Sequence, residues 1–127
     1  MPSHFDRLGG EPPLRALIER FVARVVGDPM IGFFFASVDR LRLNELEYQF
    51  AAAHLGADVV YTGRALDQAH KRHRIFSGQF NRRLRLLDQV LGEQRVPDDI
   101  RSAWLAHNES LRAQITVDGT GECGSGS

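Results

Sequence analysis

The chain holds one cysteine, Cys123, in 127 residues, so no intramolecular disulfide can support its fold. Neither sign of charge is in excess: 16 basic residues face 16 acidic ones. That balance removes the long-range steering expected of a nucleic-acid binder, and none is expected here. Lysine is nearly absent as well, Lys71 being the only one, and the arginine excess reads as codon bias. No apolar run approaches the ~18–20 residues of a membrane span. The opening, Met1-Pro-Ser-His-Phe-Asp, lacks a basic region followed by an apolar stretch, so no secretory signal is expected and the default location is cytoplasmic. A phosphate loop, a nucleophile elbow and a Cys-x-x-Cys pair are all missing, which removes the signatures of several enzyme classes. Strict apolar alternation is missing too. Val59-Val60-Tyr61 is the one strand-like run, and it is too short to found a sheet.

What is present suits a single domain, large enough to bury a core without staples. The stretch from Asp118 to Ser127 is rich in Gly and Ser and predicts a flexible tail, leaving a folded unit of about residues 4–117. Helical periodicity dominates that unit. After Gly9-Gly10, Pro12 and Pro13 can stand in a first helical turn, where a missing N–H costs nothing. Leu14, Leu17, Ile18, Phe21, Val22 and Val25 then form one apolar face, and Gly27-Asp28-Pro29 ends it. An apolar knot, Ile31-Gly-Phe-Phe-Phe35, precedes a helix capped by Asp39, with Leu43, Leu46, Phe50 and Ala53 as its buried face and Gly56 as its stop. A brief helical stretch fits 64–71. Ser77 is the predicted cap of a helix carrying Phe80, Leu84, Leu87 and Leu91, closed by Gly92. Pro97 opens the last helix, whose apolar set is Ile100, Trp104, Leu111 and Ile115. The fold class is all-α.

Chemistry-bearing residues are few. Of the histidines His4, His54, His70, His73 and His107, the pair His70 and His73 would share one side of a helix. Such a pair chelates a transition metal only if a carboxylate converges on it. The surrounding basic residues, Lys71, Arg72 and Arg74, lack the interleaved aromatic platforms of a nucleic-acid site. They fit a solvated face or a clamp for the carboxylates of a buried cofactor.

The string Leu8-Gly9-Gly10-Glu11, Phe21, Asp28-Pro29, Phe33-Phe34-Phe35, Arg42-Leu43, Phe50, Leu55-Gly56, Tyr61-Thr62-Gly63, His70 and Ile75 resembles the truncated haemoglobins, most closely group I. That resemblance implies a shortened globin, a two-over-two helical sandwich around one haem b. The helices over 12–27, 39–55, 77–92 and 97–116 then match the family's B, E, G and H, with the short F piece before His70. His70 falls on the proximal position, making it the expected iron ligand, and neutral imidazole suits that task. Phe34, Phe35, Leu66, Ala69, Ile75 and Phe80 fall on haem-lining positions, and Lys71, Arg72 and Arg74 lie near enough in sequence to offer charge to the propionates, Arg74 being counted among the expected cofactor-binding residues. On the distal side, Val22 stands where the family's tyrosine donates to the ligand. Leu43 and Glu47 follow on one face of helix E, and Arg83 faces them from helix G, where it can pair with Glu47. Glu47 is the expected catalytic group, as a proton donor in peroxide or nitrogen-oxide chemistry. The resemblance thus implies a diatomic gas ligand and an electron-donating reductase, with nitric oxide dioxygenase-like or peroxidase-like activity as expectations. Two rival readings are a haem-free globin-fold sensory or interaction module and a non-haem metal site at His70 and His73.

Overall fold

The computed structural model describes residues 1–63 and 75–116. Among them the chain is entirely helical: α1 (His4–Arg7), α2 (Glu11–Gly27), a 3-10 turn (Gly32–Phe35), α3 (Arg40–His54), α4 (Ser77–Glu93), α5 (Asp98–Glu109) and α6 (Arg112–Ile115). None of these helices is long and apolar enough to cross a membrane. The short α1, which periodicity did not predict, is closed by a reciprocal cap: the Asp6 N–H donates to Ser3 Oγ and the Ser3 N–H donates to the Asp6 carboxylate. The Phe5 N–H donates to the Leu55 carbonyl at 2.9 Å, which ties α1 to the end of α3. Gly9 and Gly10 follow at φ 101° and 88°, values that favour glycine, and turn the chain into α2 with Pro12 and Pro13 in its first turn.

Leu14, Leu17, Ile18, Phe21, Val22 and Val25 are all buried, so the predicted face of α2 is the face the fold uses. This helix is the centre of the molecule, packing against α3, α4 and the 3-10 turn, while α5 packs on α4. The result is two helical layers, as the resemblance implied. The α3 expectation needs correction. Its core face is Tyr48, Ala51, Ala52 and Leu55, whereas Leu43, Leu46 and Phe50 are half-buried and Ala53 is exposed. The helix is apolar on two sides because it serves two neighbours, so a single-stripe reading picked the wrong one for the core.

Other boundaries move for local reasons. Asp39 caps α3 as expected, its carboxylate accepting from the Leu41 N–H at 3.1 Å. Ser77, the predicted cap, is instead the first residue of α4, and the cap position is Phe76, whose N–H donates to the Gln79 side-chain oxygen. Gly92 lies inside α4, and the turn out of it is made by Arg95 at φ 56°. Leu86 and Val90 join Phe80, Leu87 and Leu91 in the buried face of α4, while Leu84 is half-buried. The last predicted helix divides at Ser110–Leu111, so that Ile100 and Trp104 enter the core while Leu111 and Ile115 turn elsewhere.

Two polar devices hold this frame. Asp28 is nearly sealed, its side chain 3% exposed, and its carboxylate accepts from the Met30 N–H, the Ile31 N–H and the Arg82 guanidinium. The Arg82 cation and the two backbone donors hold the Asp28 carboxyl below its ordinary range. One carboxylate therefore fixes the corner after α2 and fastens it to α4. Between α3 and α5, the His54 and His107 rings stack at 3.9 Å and 5°. Burial lowers the pKa of both, and for His54 the neighbouring His107 and His4 lower it further, against a hydrogen bond to Ala103.

Asp28→Ala should cost about 2–4 kcal/mol of unfolding free energy in urea titration, because it strands two backbone donors and a half-buried guanidinium. The histidine pair predicts a separate pH effect. Both imidazoles bind protons less readily folded than unfolded, so unfolding takes up protons and stability falls as pH drops below about 6.5. The paired carboxylates of Asp28, Glu45 and Asp99 are depressed and lose their contribution only below about pH 4. Thermal midpoints read by circular dichroism should therefore fall between about pH 7 and 5, and a His54→Gln, His107→Gln double variant should flatten that slope.

Candidate functional site

Leu43, Leu46, Glu47 and Phe50 follow one another at the three- and four-residue spacing that places side chains on a common helical face. That face of α3 looks into a cavity of about 270 Å³ whose other walls come from α4, the 3-10 turn and the α5–α6 end of the chain. Phe34 and Phe35 enter from the 3-10 turn, Phe80 and Arg83 from α4, and Asn108, Leu111 and Ile115 from α5 and α6. Tyr61 and Ile75, which flank the stretch 64–74 in sequence, both line it as well.

The walls are mostly apolar, and among the described residues the lining holds two charged side chains, Glu47 and Arg83. They meet fork to fork: Arg83 Nη1 donates to Glu47 Oε2 at 3.2 Å and Nη2 to Oε1 at 3.1 Å. Both are about three-quarters buried, at 26% and 21% side-chain exposure. The guanidinium also lies 4.9 Å above the Phe21 ring, so α2 supports it from behind. The pairing expected from spacing and resemblance is thus present in the cavity wall.

Tyr61 is positioned by a relay that sequence reasoning missed. Buried Gln49 on the far side of α3 accepts from the Thr62 N–H at 2.8 Å and from its hydroxyl at 2.9 Å. Its amide donates to Glu45, which accepts from Arg15, and Arg15 in turn donates to Glu11 and stacks over the Tyr48 ring. The Gln49 amide first, then the Arg15 cation, hold the Glu45 carboxyl low. With Thr62 held, the Tyr61 ring meets Phe50 edge-on at 5.7 Å. A Cβ at Gly63 would run into that phenol, so only glycine lets the loop close over Tyr61. Burial, and then the Glu47 carboxylate, push the Tyr61 phenol above its ordinary range, with Arg42 opposing them. The Tyr-Thr-Gly string was the available signal for this residue.

Of the residues singled out from sequence, Phe34, Phe35, Leu43, Glu47, Ile75, Phe80 and Arg83 come together around the cavity. Val22 does not line it; it is 1% exposed within the core beside Phe21. Leu66, Ala69, His70 and Arg74 lie outside the described residues, as do Lys71, Arg72, His73 and the helical stretch over 64–71. Phe50, Tyr61, Asn108, Leu111 and Ile115 join the cavity without having been read as site residues.

Comparison with known proteins bears on this arrangement. Residues 3–117 match the family model described as bacterial-like globin. The chain is 32% identical over 122 residues to the group 1 truncated hemoglobin GlbN of Mycolicibacterium paratuberculosis, covering 96% of this chain and 88% of that one. It is 29% identical over 104 residues to the group 1 truncated hemoglobin GlbN of Synechocystis, covering 79% and 84%. In three dimensions it is similar to truncated hemoglobin from Tetrahymena pyriformis in its Fe(III) form, with a TM-score of 0.83 at 23% identity over 91% of this chain and 98% of that one.

Proposed function

The chain belongs to the bacterial-like globin family, a family of haem proteins, and from that premise we propose that its cavity seats haem b on His70 and admits a small ligand from the α3–α4 side. The observation that carries the reading is the cavity itself. Phe34, Phe35, Leu43, Phe80 and Ile75 make an apolar, largely aromatic lining suited to a flat macrocycle, and Tyr61 and Ile75, which precede and follow His70 in sequence, both line it. Haem, when bound there, would supply an iron able to coordinate a diatomic gas.

The protein's part is positional and electrostatic. Phe34 and Phe35, held by the Asp28 corner, exclude water from one edge. Leu66 and Ala69 are assigned to the proximal wall on the resemblance, and Lys71, Arg72 and Arg74 are the cations near enough in sequence to serve the propionates. Val22 is sealed in the core and does not reach the cavity, so Glu47, Arg83 and the Tyr61 phenol are among the polar groups of the wall that can face a ligand. Ionised and paired, Glu47 only accepts; protonated, it can donate, which is the role assigned to it in peroxide or nitrogen-oxide chemistry. Turnover of that kind needs electrons, and a reductase is the assigned partner. A cytoplasmic location agrees with this assignment.

His70→Ala should abolish normal haem retention, and His73→Ala should not. The check is the Soret absorbance of purified protein after haem addition, with ligand affinity measured on both variants. An unchanged Soret band and affinity in His70→Ala would refute the ligand assignment. A wild-type protein that takes up no haem would favour the haem-free module.

A further inference from the structure

Where the end of α5 meets α3, the contact is a run of rings. His54, the last residue of α3, stacks on His107 of α5 at 3.9 Å with 5° between the ring planes. His107 also meets Phe50 at 5.4 Å, and Phe50 meets Tyr61 edge-on at 5.7 Å. Phe50 and Tyr61 line the cavity, as does Asn108, the residue after His107. The Ser110 hydroxyl donates to the His107 carbonyl at the point where the helix divides, and beyond it Leu111 and Ile115 form more of the cavity wall. The stack therefore joins the end of α3 to the part of the chain that closes this side of the cavity, while the body of α5 packs on α4.

Such a seam holds only while both rings are neutral. His54 Nε2 is buried and has no hydrogen-bond partner among the described residues, so a proton arriving there finds no acceptor. The charges acting on His54 are those of His107 on α5 and His4 on α1, both positive when protonated. Carboxylates on the neighbouring helices are engaged elsewhere: Asp6 in the cap of α1, Asp99 with Arg7, Glu109 with Arg112, and Glu47 with Arg83. Two imidazolium rings face to face in a partly buried seam repel each other, and each loses hydration by staying there. Parting the rings relieves both.

We infer that the His54–His107 stack is an acid-released clasp on the cavity: when the imidazoles take up protons they part, and the wall formed by Phe50, Tyr61 and the α5–α6 joint loosens. Parted rings bind protons more readily than stacked ones, so by linkage a falling pH favours the parted form. The clasp depends on the seam alone and goes beyond the haem reading; that its release lets haem go rests on that reading.

The test uses the full chain between about pH 7.5 and 5.5, a range that spans ordinary imidazole titration. Amide hydrogen exchange read by mass spectrometry, corrected for its intrinsic pH dependence, follows the backbone over 104–116. Transfer of haem from the loaded chain to excess apomyoglobin, followed by absorbance, reads release. In the wild type both should quicken about tenfold or more on acidification, while α2 stays protected. His107→Phe keeps a ring against His54 and Phe50 but takes no charge, and should hold both changes to about twofold or less. His4→Gln, outside the stack, should leave the acid response in place. A response that survives undiminished in His107→Phe, or that spreads equally to α2, would overturn the clasp. Acid lability arising at His70 would persist in His107→Phe and so be recognised. Exchange that quickens with no change in haem loss would overturn haem release as the consequence and leave the clasp standing. Should the wild type take up no haem, the haem reading fails and exchange alone decides the clasp. Should His107→Phe not fold, His54→Gln replaces it with the same expected outcome.

Discussion

The cavity exists because α3 and α4 both lean on α2 and only weakly on each other. The apolar stripe of α2 is broad enough to seat both helices, with Phe21 and Val25 among the residues buried at its centre. Once two helices are fixed to a third, their facing surfaces stand apart, and whatever lines the gap is determined by residues one turn round from the core contacts. That is why Leu43, Glu47 and Phe50 on α3 come to face Phe80 and Arg83 on α4. The site is a by-product of how the core is packed, and its lining stays in touch with that core where Arg83 rests on Phe21.

Loops complete the enclosure, and each is held by a buried polar group. Asp28 gathers the Met30 and Ile31 N–H groups and so aims the 3-10 turn that delivers Phe34 and Phe35. Gln49 gathers Thr62 and so delivers Tyr61. In both cases a buried side chain, Asp28 at the end of α2 or Gln49 within α3, satisfies loop backbone that would otherwise be left without a partner, which is the condition for an ordered loop beside an apolar space. Both devices are reached from arginines at helix surfaces, Arg82 for Asp28 and Arg15 for Gln49 through Glu45.

How much of this could be read in advance depended on whether the apolar residues of an element fall on one face or on two. α2 packs with one stripe, and all six of its predicted apolar positions are buried. α3 divides its apolar residues between the core and the cavity, so the visible spacing of Leu43, Leu46 and Phe50 marked the cavity face and hid the core face made by Tyr48, Ala51 and Ala52. Glu47 and Arg83 were legible because i,i+4 spacing from Leu43 and the family pattern pointed to the same place. Tyr61 was not, since its position depends on a hydrogen bond between Thr62 and a glutamine thirteen residues away. The predicted Ser77 cap failed for a local reason: Gln79 reaches back to the Phe76 N–H and moves the start of α4 by one residue. The division of the last helix at Ser110–Leu111 left no sequence mark, as no Gly or Pro stands there.

Arg82 and Arg83 are neighbours in sequence, yet they do different work, and burial of their partners explains it. The Asp28 carboxylate is 3% exposed and accepts from three groups, so its charge is fully answered by protein and its removal strands all three. Glu47 is 21% exposed and has Arg83 as its described hydrogen-bond partner. A pair of that kind, partly solvated and held by one fork, contributes little net stability, because desolvating the two groups offsets much of their attraction. Apolar residues of similar size would fill the same wall at no such cost. What the pair adds is a fixed charge distribution in a space otherwise lined by Phe34, Phe35, Leu43 and Phe80. Stability therefore gives little reason for an arginine and a glutamate at these two positions.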